Sequence, residues 1–311
     1  MSRFIAPSIS TSLLRQNQWA GRLFCAWLLS LSLAFIQNAT GAIPVDDSYS
    51  VRTWQADDGL PENRVVGVVQ APDGFLWVAT QNGLVRFDGV RFQRVDRPGT
   101  PSLIAGTMRV LMLDRDGRIW LAKEEGGTLF CFEGTEMRMF SAEQGLLKNE
   151  AQRSLAADNT GALWIAHSAG KLVRLNADGQ AEIFTQAEGL PRGNSIVWLA
   201  TDRSGTLWFA KGNRVGVFQD GNFVPLHTFG SSSLRLAPSR DGGMWVCSGL
   251  QIFKCHATNA PMEWGRLPAE GRERSGIEPS VVFEDRSGIV WVGTAAAGLY
   301  RCESNQVARV Q

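Results

Sequence analysis

The sequence predicts an all-β fold, a β-propeller of four-stranded antiparallel blades in which six repeats are visible. Three observations carry that prediction. A Gly-x-apolar-Trp word ends at Trp77, Trp120, Trp164, Trp208, Trp245 and Trp291, so the tryptophans stand 43, 44, 44, 37 and 46 residues apart. A period of about 40–45 residues that holds several short strands and no helical pattern is the signature of propeller blades. Turn dipeptides bracket the apolar run: Asp73-Gly74 precedes Leu76-Trp77-Val78 and Asn82-Gly83 follows it. Glycine reaches positive φ without a Cβ clash, and a short aromatic and β-branched run suits a strand covered on both faces.

Composition sets the outer limits. The chain has 311 residues, 44% of them apolar and 20% charged, as in an ordinary folded protein, which leaves room for one propeller and no large second domain. Residues 1–42 read as a secretory signal peptide: Arg3, Arg15 and Arg22 precede an apolar run from Leu23 to Ile36, and Thr40-Gly41-Ala42 ends in a small residue. A retained signal anchor is the alternative, but a largely apolar run of fourteen residues is short of the roughly 20 that a span needs. Residues 43–311 are then the propeller, with no membrane span and a periplasmic or secreted location. Removing the leader removes three of the 31 basic residues and none of the 30 acidic ones. A near-neutral chain argues against nucleic acid as a partner. Export implies an oxidising compartment. Even so, Cys255 and Cys302 take equivalent positions in adjacent blades, a whole sheet of about 10 Å apart, and Cys247 and Cys255 flank one hairpin out of direct opposition. Cys131, Cys247, Cys255 and Cys302 therefore read as small buried apolar side chains, with no metal spacing among them and no cofactor implied.

Taken in order, residues 43–48 form a polar lead-in, and 49–54 alternate like a half-buried strand with no hairpin partner before it. In propellers such a strand completes the last blade and removes a sheet edge. Blade one is predicted at 64–71, 75–80, 84–88 and 90–95, blade two at 107–114, 118–122, 128–133 and 136–140. Blade three follows at 152–158, 162–166, 171–176 and 180–184, blade four at 196–202, 206–210, 214–219 and 222–225. Blade five is compressed into 234–238, 243–247, 251–256 and 263–267. Blade six takes 281–285, 289–293, 299–303 and 306–310. The sixth blade already has its fourth strand, so 49–54 is left over. Either six blades close irregularly, or the chain opens a seven-bladed or larger assembly. Stopping where a connecting loop should begin favours the second.

At this point the residues carry a resemblance. Asp58-Gly59-Leu60-Pro61-Glu62-Asn63, then Asp73-Gly74-Phe75-Leu76-Trp77-Val78-Ala79-Thr80, then Asn82-Gly83-Leu84-Val85-Arg86-Phe87-Asp88-Gly89 resembles the two-component regulator propeller repeat. Gln144-Gly145-Leu146 and Glu188-Gly189-Leu190-Pro191 look like its inter-blade motif, and Asp285-Arg286-Ser287-Gly288-Ile289-Val290-Trp291 is another close match. The resemblance covers essentially all of residues 43–311. It implies the extracytoplasmic sensor region of a hybrid histidine kinase, a protein class in which many members are thought to sense oligosaccharides. Such proteins usually carry two propellers, a β-sandwich, a transmembrane helix and a kinase or cyclase, none of which follows these six repeats. Kinase activity is therefore not expected of this chain. The segment between blades four and five departs further, lacking the Gly-Leu word. No Trp-Asp dipeptide occurs, against WD40 repeats, and Asp158-Asn159-Thr160-Gly161-Ala162-Leu163-Trp164 is similar to the quinone-dependent dehydrogenase repeat but one residue short.

The expected function is a non-catalytic, ligand-binding sensor, with an oligosaccharide or other small extracellular molecule as ligand and a neighbouring sensor domain or homodimer partner. Asn63, Asn149 and Asn194 on the inter-blade segments are candidate hydrogen-bonding groups for a sugar, against a plain role in the turn. Arg64, Arg109, Arg153, Arg192 and Arg235 stand at or beside the starts of innermost strands. There they can converge on the central channel and hold a carboxylate or sulfate bidentately, or simply pair with Glu62, Glu150 or solvent. Trp54, Trp198 and Trp264 fall outside the repeated Trp position and are stacking candidates, with a core role as the alternative. A secreted protein-interaction propeller is a second reading. A propeller lyase is a third, with His167, on the loop-bearing face, as general base.

Overall fold

The computed structural model describes residues 52–95, 107–134, 136–268, 278–304 and 306–310. The expected leader, the lead-in 43–48 and the first half of the strand expected at 49–54 lie outside them. The strands form six four-stranded antiparallel sheets, each with its strands side by side in chain order, and the six blades form the ring of a β-propeller. Blade one is β1 (Val65–Gln70), β2 (Leu76–Thr80), β3 (Gly83–Phe87) and β4 (Phe92–Arg94), and blade two is β5 (Met108–Leu113), β6 (Ile119–Lys123), β7 (Leu129–Glu133) and β8 (Glu136–Phe140). Blade three is β9 (Gln152–Ala157), β10 (Leu163–His167), β11 (Leu172–Leu175) and β12 (Ala181–Phe184), and blade four is β13 (Val197–Thr201), β14 (Leu207–Lys211), β15 (Arg214–Gln219) and β16 (Asn222–Thr228). Blade five is β17 (Leu234–Pro238), β18 (Met244–Ser248), β19 (Gln251–Cys255) and β20 (Met262–Arg266), and blade six is β21 (Pro279–Glu284), β22 (Val290–Thr294), β23 (Leu299–Glu303) and β24 (Gln306–Arg309).

The innermost strands pack in succession, β1 on β5, β5 on β9, β9 on β13, β13 on β17 and β17 on β21. Five apolar clusters fill the five joints so made. In blades three, four and five the second strand is buried along its whole length, because it has sheet neighbours on both edges and a blade against each face. Trp77, Trp120, Trp164, Trp208 and Trp245 point toward the following blade and are between 0% and 6% exposed. One change from expectation is β16, which runs three residues further than the sequence pattern indicates. A register shift at Val215/Gly216 lets it keep pairing through His227 and Thr228.

A carboxylate clasp sets each tryptophan. The Oδ1 of Asp158 accepts the backbone N–H groups of Thr160 and Ala162 (2.8 and 3.2 Å), and its Oδ2 accepts the Trp164 indole N–H at 2.8 Å. Asp114 with Trp120, Asp202 with Trp208 and Asp285 with Trp291 repeat the arrangement, with indole distances of 2.8, 2.8 and 2.7 Å. One side chain thus closes the turn and satisfies a donor that would otherwise be orphaned among apolar neighbours. Blade one has Ala71 at the corresponding place, and the Trp77 indole nitrogen is buried without a partner. Blade five has Ser239 there, and Trp245 instead donates to Glu284 of blade six at 2.6 Å.

Two of the Gly-Leu words plug joints between blades, and the third packs on blade one. The 3-10 turns Ala56–Asp58, Ala142–Gln144 and Gln186–Glu188 lead into Gly59, Gly145 and Gly189, all left-handed, and then into buried Leu60, Leu146 and Leu190. A Cβ on Gly189 would stand 2.4 Å from the Phe223 carbonyl oxygen, so close approach of β16 requires glycine there. The four cysteines are free and buried, and burial pushes the Cys131 thiol up to about 11 and those of Cys247, Cys255 and Cys302 to about 12.

Two substitutions test the clasp. Asp158→Ala strands the Trp164 N–H and opens the turn, and should cost about 2–4 kcal/mol in urea unfolding. Ala71→Asp supplies the carboxylate missing from blade one and should raise stability by about 1 kcal/mol. An unchanged or lowered midpoint for that second variant would show that the clasp is not a transferable unit. Burial works to raise the Asp158 carboxyl, but bonds from Thr160 and Trp164 and the Arg174 charge outweigh it and hold the group below its ordinary value. The stabilisation is therefore present above the unfolded value near 3.9 and is lost as pH falls through the lower folded value.

Candidate ligand-binding face

The two ends of the propeller differ in chemistry. One end carries the Asp-x-x-Gly turns between the first and second strands. The other carries the turns between second and third strands together with the segments that join blades. Close approaches show that these last two share a face: Gly126 lies against Glu150 and Ala151, and Gly170 lies against Ser195.

On that face, at the joint between blades three and four, a cavity of about 660 Å³ opens between the Gly189–Arg192 segment and the β14–β15 turn. Its walls bring Arg192, Lys211 and Arg214 together over Leu190 and Pro191, and no carboxylate lines it. Lys211 ends β14 and is only 3% exposed; its Nζ reaches the Gly170 carbonyl of blade three at 3.4 Å. Burial lowers its pKa, because desolvation disfavours the ammonium form. Arg192 and Arg214 are exposed and form no ion pair among the described residues. A second cavity of about 420 Å³ lies between the outer strands of blades two and three. Its cations are already neutralised, Arg118 by Asp114 and Asp116 and Arg138 by Glu133. Uncompensated positive charge therefore distinguishes the first cavity.

The residues singled out from the sequence fall into several settings. Arg109 and Arg153 meet on Glu124, at 3.1 and 3.2 Å, across the joint of blades two and three. Arg235 lies 4.5 Å from the ring centroid of Trp198 and donates to the Ser280 carbonyl of blade six at 2.9 Å, so two candidates come together there. Arg192 stands in the cationic cavity. Arg64 is exposed, and its backbone N–H donates to Glu62 at 3.1 Å. The Asn63 side-chain oxygen accepts the Ala56 N–H at 2.7 Å and so ties the first Gly-Leu turn. Asn149 is exposed with a φ of 57°, and Asn194 is exposed. Trp54 and Trp264 are half-buried, edge-on to Phe87 and Trp245. Sequence reasoning missed Lys211 and Arg214, which belong to a hairpin and not to the inter-blade word. The available signal was the Lys211-Gly212-Asn213-Arg214 turn, the only second-to-third-strand turn of the six that carries a cation on each side.

His167 is sealed inside blade three. It has no exposed surface, its Nδ1 lies 3.2 Å from the Glu150 carbonyl oxygen, and its Nε2 has no partner. Burial lowers its pKa against the opposing pull of Glu150. Buried Gln152 stands opposite it in the ladder.

Comparison with known proteins gives a match to one repeat and a fold. The sequence pattern described as "Two component regulator propeller" matches residues 59–82. No curated protein matches. Among solved structures, virginiamycin B lyase from Staphylococcus aureus superposes with a TM-score of 0.65 at 15% identity, covering 80% of this chain and 85% of that one. The extracellular domain assigned to the hybrid two component system BT3049 from B. thetaiotaomicron gives 0.59 at 20% identity, covering 76% of this chain and 33% of that domain. A chain of the mitotic checkpoint complex gives 0.55 at 10% identity. Such identities show the fold alone, which hosts unrelated functions.

The sealed histidine makes a testable pH signature. With its folded pKa below the ordinary value near 6.5, His167 is neutral in the native state, and the stabilisation present above that pH is lost as pH falls through the folded value. His167→Gln should flatten the drop in urea midpoint between about pH 7 and pH 5; a drop of unchanged size would assign it to another group.

Proposed function

We propose that this chain, whose residues 59–82 match the two component regulator propeller repeat, is the ligand-binding sensor propeller of a signal-transduction system, working outside the cytoplasm and leaving its ligand unaltered. Its ligand is an oligosaccharide that bears carboxylate or sulfate groups. The observation that carries this reading is the cavity where Arg192, Lys211 and Arg214 converge without a carboxylate. Guanidinium groups match planar or tetrahedral oxyanions in pairs of hydrogen bonds, and a partly desolvated ammonium adds a point charge whose field is poorly screened. Leu190 and Pro191 offer apolar surface to the C–H face of a sugar ring.

The position of the cavity also suggests how occupancy is transmitted. Arg192 belongs to the segment joining blades three and four, Arg214 belongs to β15, and Lys211 already bridges to blade three. An anion held by all three tightens that joint, and a tightened joint changes the surface offered to a neighbouring domain or subunit. Among the described residues no helix is long and apolar enough to cross a membrane. The lyase reading has nothing specific in its favour, since His167 has no exposed surface.

Titration calorimetry with a uronate-containing oligosaccharide and its neutral counterpart tests the proposal. The acidic ligand should bind and be recovered unchanged, with affinity that falls as salt rises. Arg192→Ala and Arg214→Ala should each weaken it about tenfold or more. Equal binding of the neutral sugar, or full affinity in the double variant, would overturn the assignment.

A further inference from the structure

Two lysines are buried among the described residues, and only one of them has a counter-ion. Lys254 of β19 is 5% exposed, and its Nζ meets Asp241 and Ser239 and lies 4.7 Å from the Trp245 ring centroid. Lys211 of β14 is 3% exposed and forms no ion pair, and its one side-chain hydrogen bond runs to the Gly170 carbonyl at 3.4 Å. An ammonium there offers three donors to a single long acceptor while cut off from water, which disfavours the charged form. The lowered pKa of Lys211 has the same cause. At the matching end of the second strand, blades one, five and six carry Thr80, Ser248 and Thr294, which have no charge to bury.

The chain also makes room for this side chain. A Cβ on Gly170 would stand 3.2 Å from the Lys211 Nζ and 2.9 Å from the Ser195 carbonyl oxygen, so glycine in the blade three turn lets the lysine lie across the joint. What surrounds the amine is the reverse of a salt bridge. Arg192 and Arg214, both exposed, line the same cavity, and among the described residues no carboxylate does. Like charges nearby disfavour the ammonium further. A buried amine beside two guanidinium groups is a nucleophile placed where an anionic product would be stabilised.

We infer that Lys211 is a carbamylation site, at which Nζ takes up carbon dioxide and the resulting carbamate is held by Arg192 and Arg214. The Nζ lone pair attacks the carbon, one carbon–oxygen π pair moves onto oxygen, and the nitrogen gives up one proton to solvent. The product is an N-linked carbamate with one negative charge, formed without oxidant or reductant. Carbon dioxide is small and uncharged, so the slight exposure of Lys211 does not bar it. The two arginines thereby gain the carboxylate that the chain itself does not supply. This inference rests on reading the cavity as an anion site, and it gives that site a regulator. The carbamate and a uronate carboxylate compete for the same guanidinium groups, so each weakens the other by the same factor.

Carbon NMR of the whole chain in isotope-labelled bicarbonate tests the assignment. A carbamate signal should be present in mildly alkaline buffer and should fade as pH falls, because the amine is then protonated. It should be lost in Lys211→Arg, which keeps a cation that does not react. Arg192→Ala combined with Arg214→Ala, both at exposed positions, should cut the signal at fixed bicarbonate by about fivefold or more, and decides the matter if Lys211→Arg fails to fold. No signal in the unaltered chain, or one of equal strength in either variant, overturns the inference. Calorimetry separates this result from the reading it rests on. When chloride replaces bicarbonate at constant ionic strength, the uronate oligosaccharide should bind the unaltered chain about fivefold or more tighter and Lys211→Arg equally well. Competition that survives in Lys211→Arg is free bicarbonate on the arginines and overturns the part given to the lysine. If the oligosaccharide binds in neither buffer while the carbamate signal appears, the sugar reading falls and the carbamate stands; binding with no carbamate signal means the reverse.

Discussion

Everything in this propeller depends on seating a large indole against the next sheet without stranding its N–H. A tryptophan contributes some 150–250 Å² to a joint, more than any other side chain, but it brings one donor that water cannot reach. The carboxylate at the first position of the Asp-x-x-Gly turn resolves this, because one oxygen closes the turn while the other receives the indole. Turn geometry, strand register and packing between blades are thus fixed by a single side chain. The two blades that lack it show the alternatives, one leaving Trp77 unpartnered and the other borrowing Glu284 from its neighbour.

The architecture was legible because it rests on local chemistry that repeats. Each strand pair is set by a hairpin turn, and each turn is written in two or three residues, so 24 strands could be placed within a few residues. The reading of the Gly-Leu word as a plug between blades fits Leu146 and Leu190, which are buried in the joints of blades two and three and of blades three and four, whereas Leu60 is buried against blade one alone. The clasping aspartate was in plain view in the same words and went unread. The reason is physical: a turn aspartate explains itself locally, and nothing in sequence spacing says that its second oxygen meets an indole six residues on.

The candidate site was legible only in part. Arginines at the starts of innermost strands share a position in the repeat, but their partners are set by whatever the adjacent blade presents. Glu124 draws Arg109 and Arg153 together, Trp198 receives Arg235, and only Arg192 meets further uncompensated cations. Those cations come from a hairpin some twenty residues away, and that hairpin becomes a neighbour only through the packing of one blade on the next. Repeats predict what is common to all blades, whereas a binding site is made from what differs.

The borrowed carboxylate of blade five bears on the order in which the chain acquires structure. In blades two, three and four, clasp and tryptophan lie six residues apart and can meet as soon as that short stretch is free to fold. Contacts of such low sequence separation form early. Trp245 has to wait for Glu284, which lies 39 residues later. A chain that emerges progressively from its N-terminus therefore completes blade five only once blade six has followed it. Until then the Trp245 indole N–H has no Glu284 to receive it.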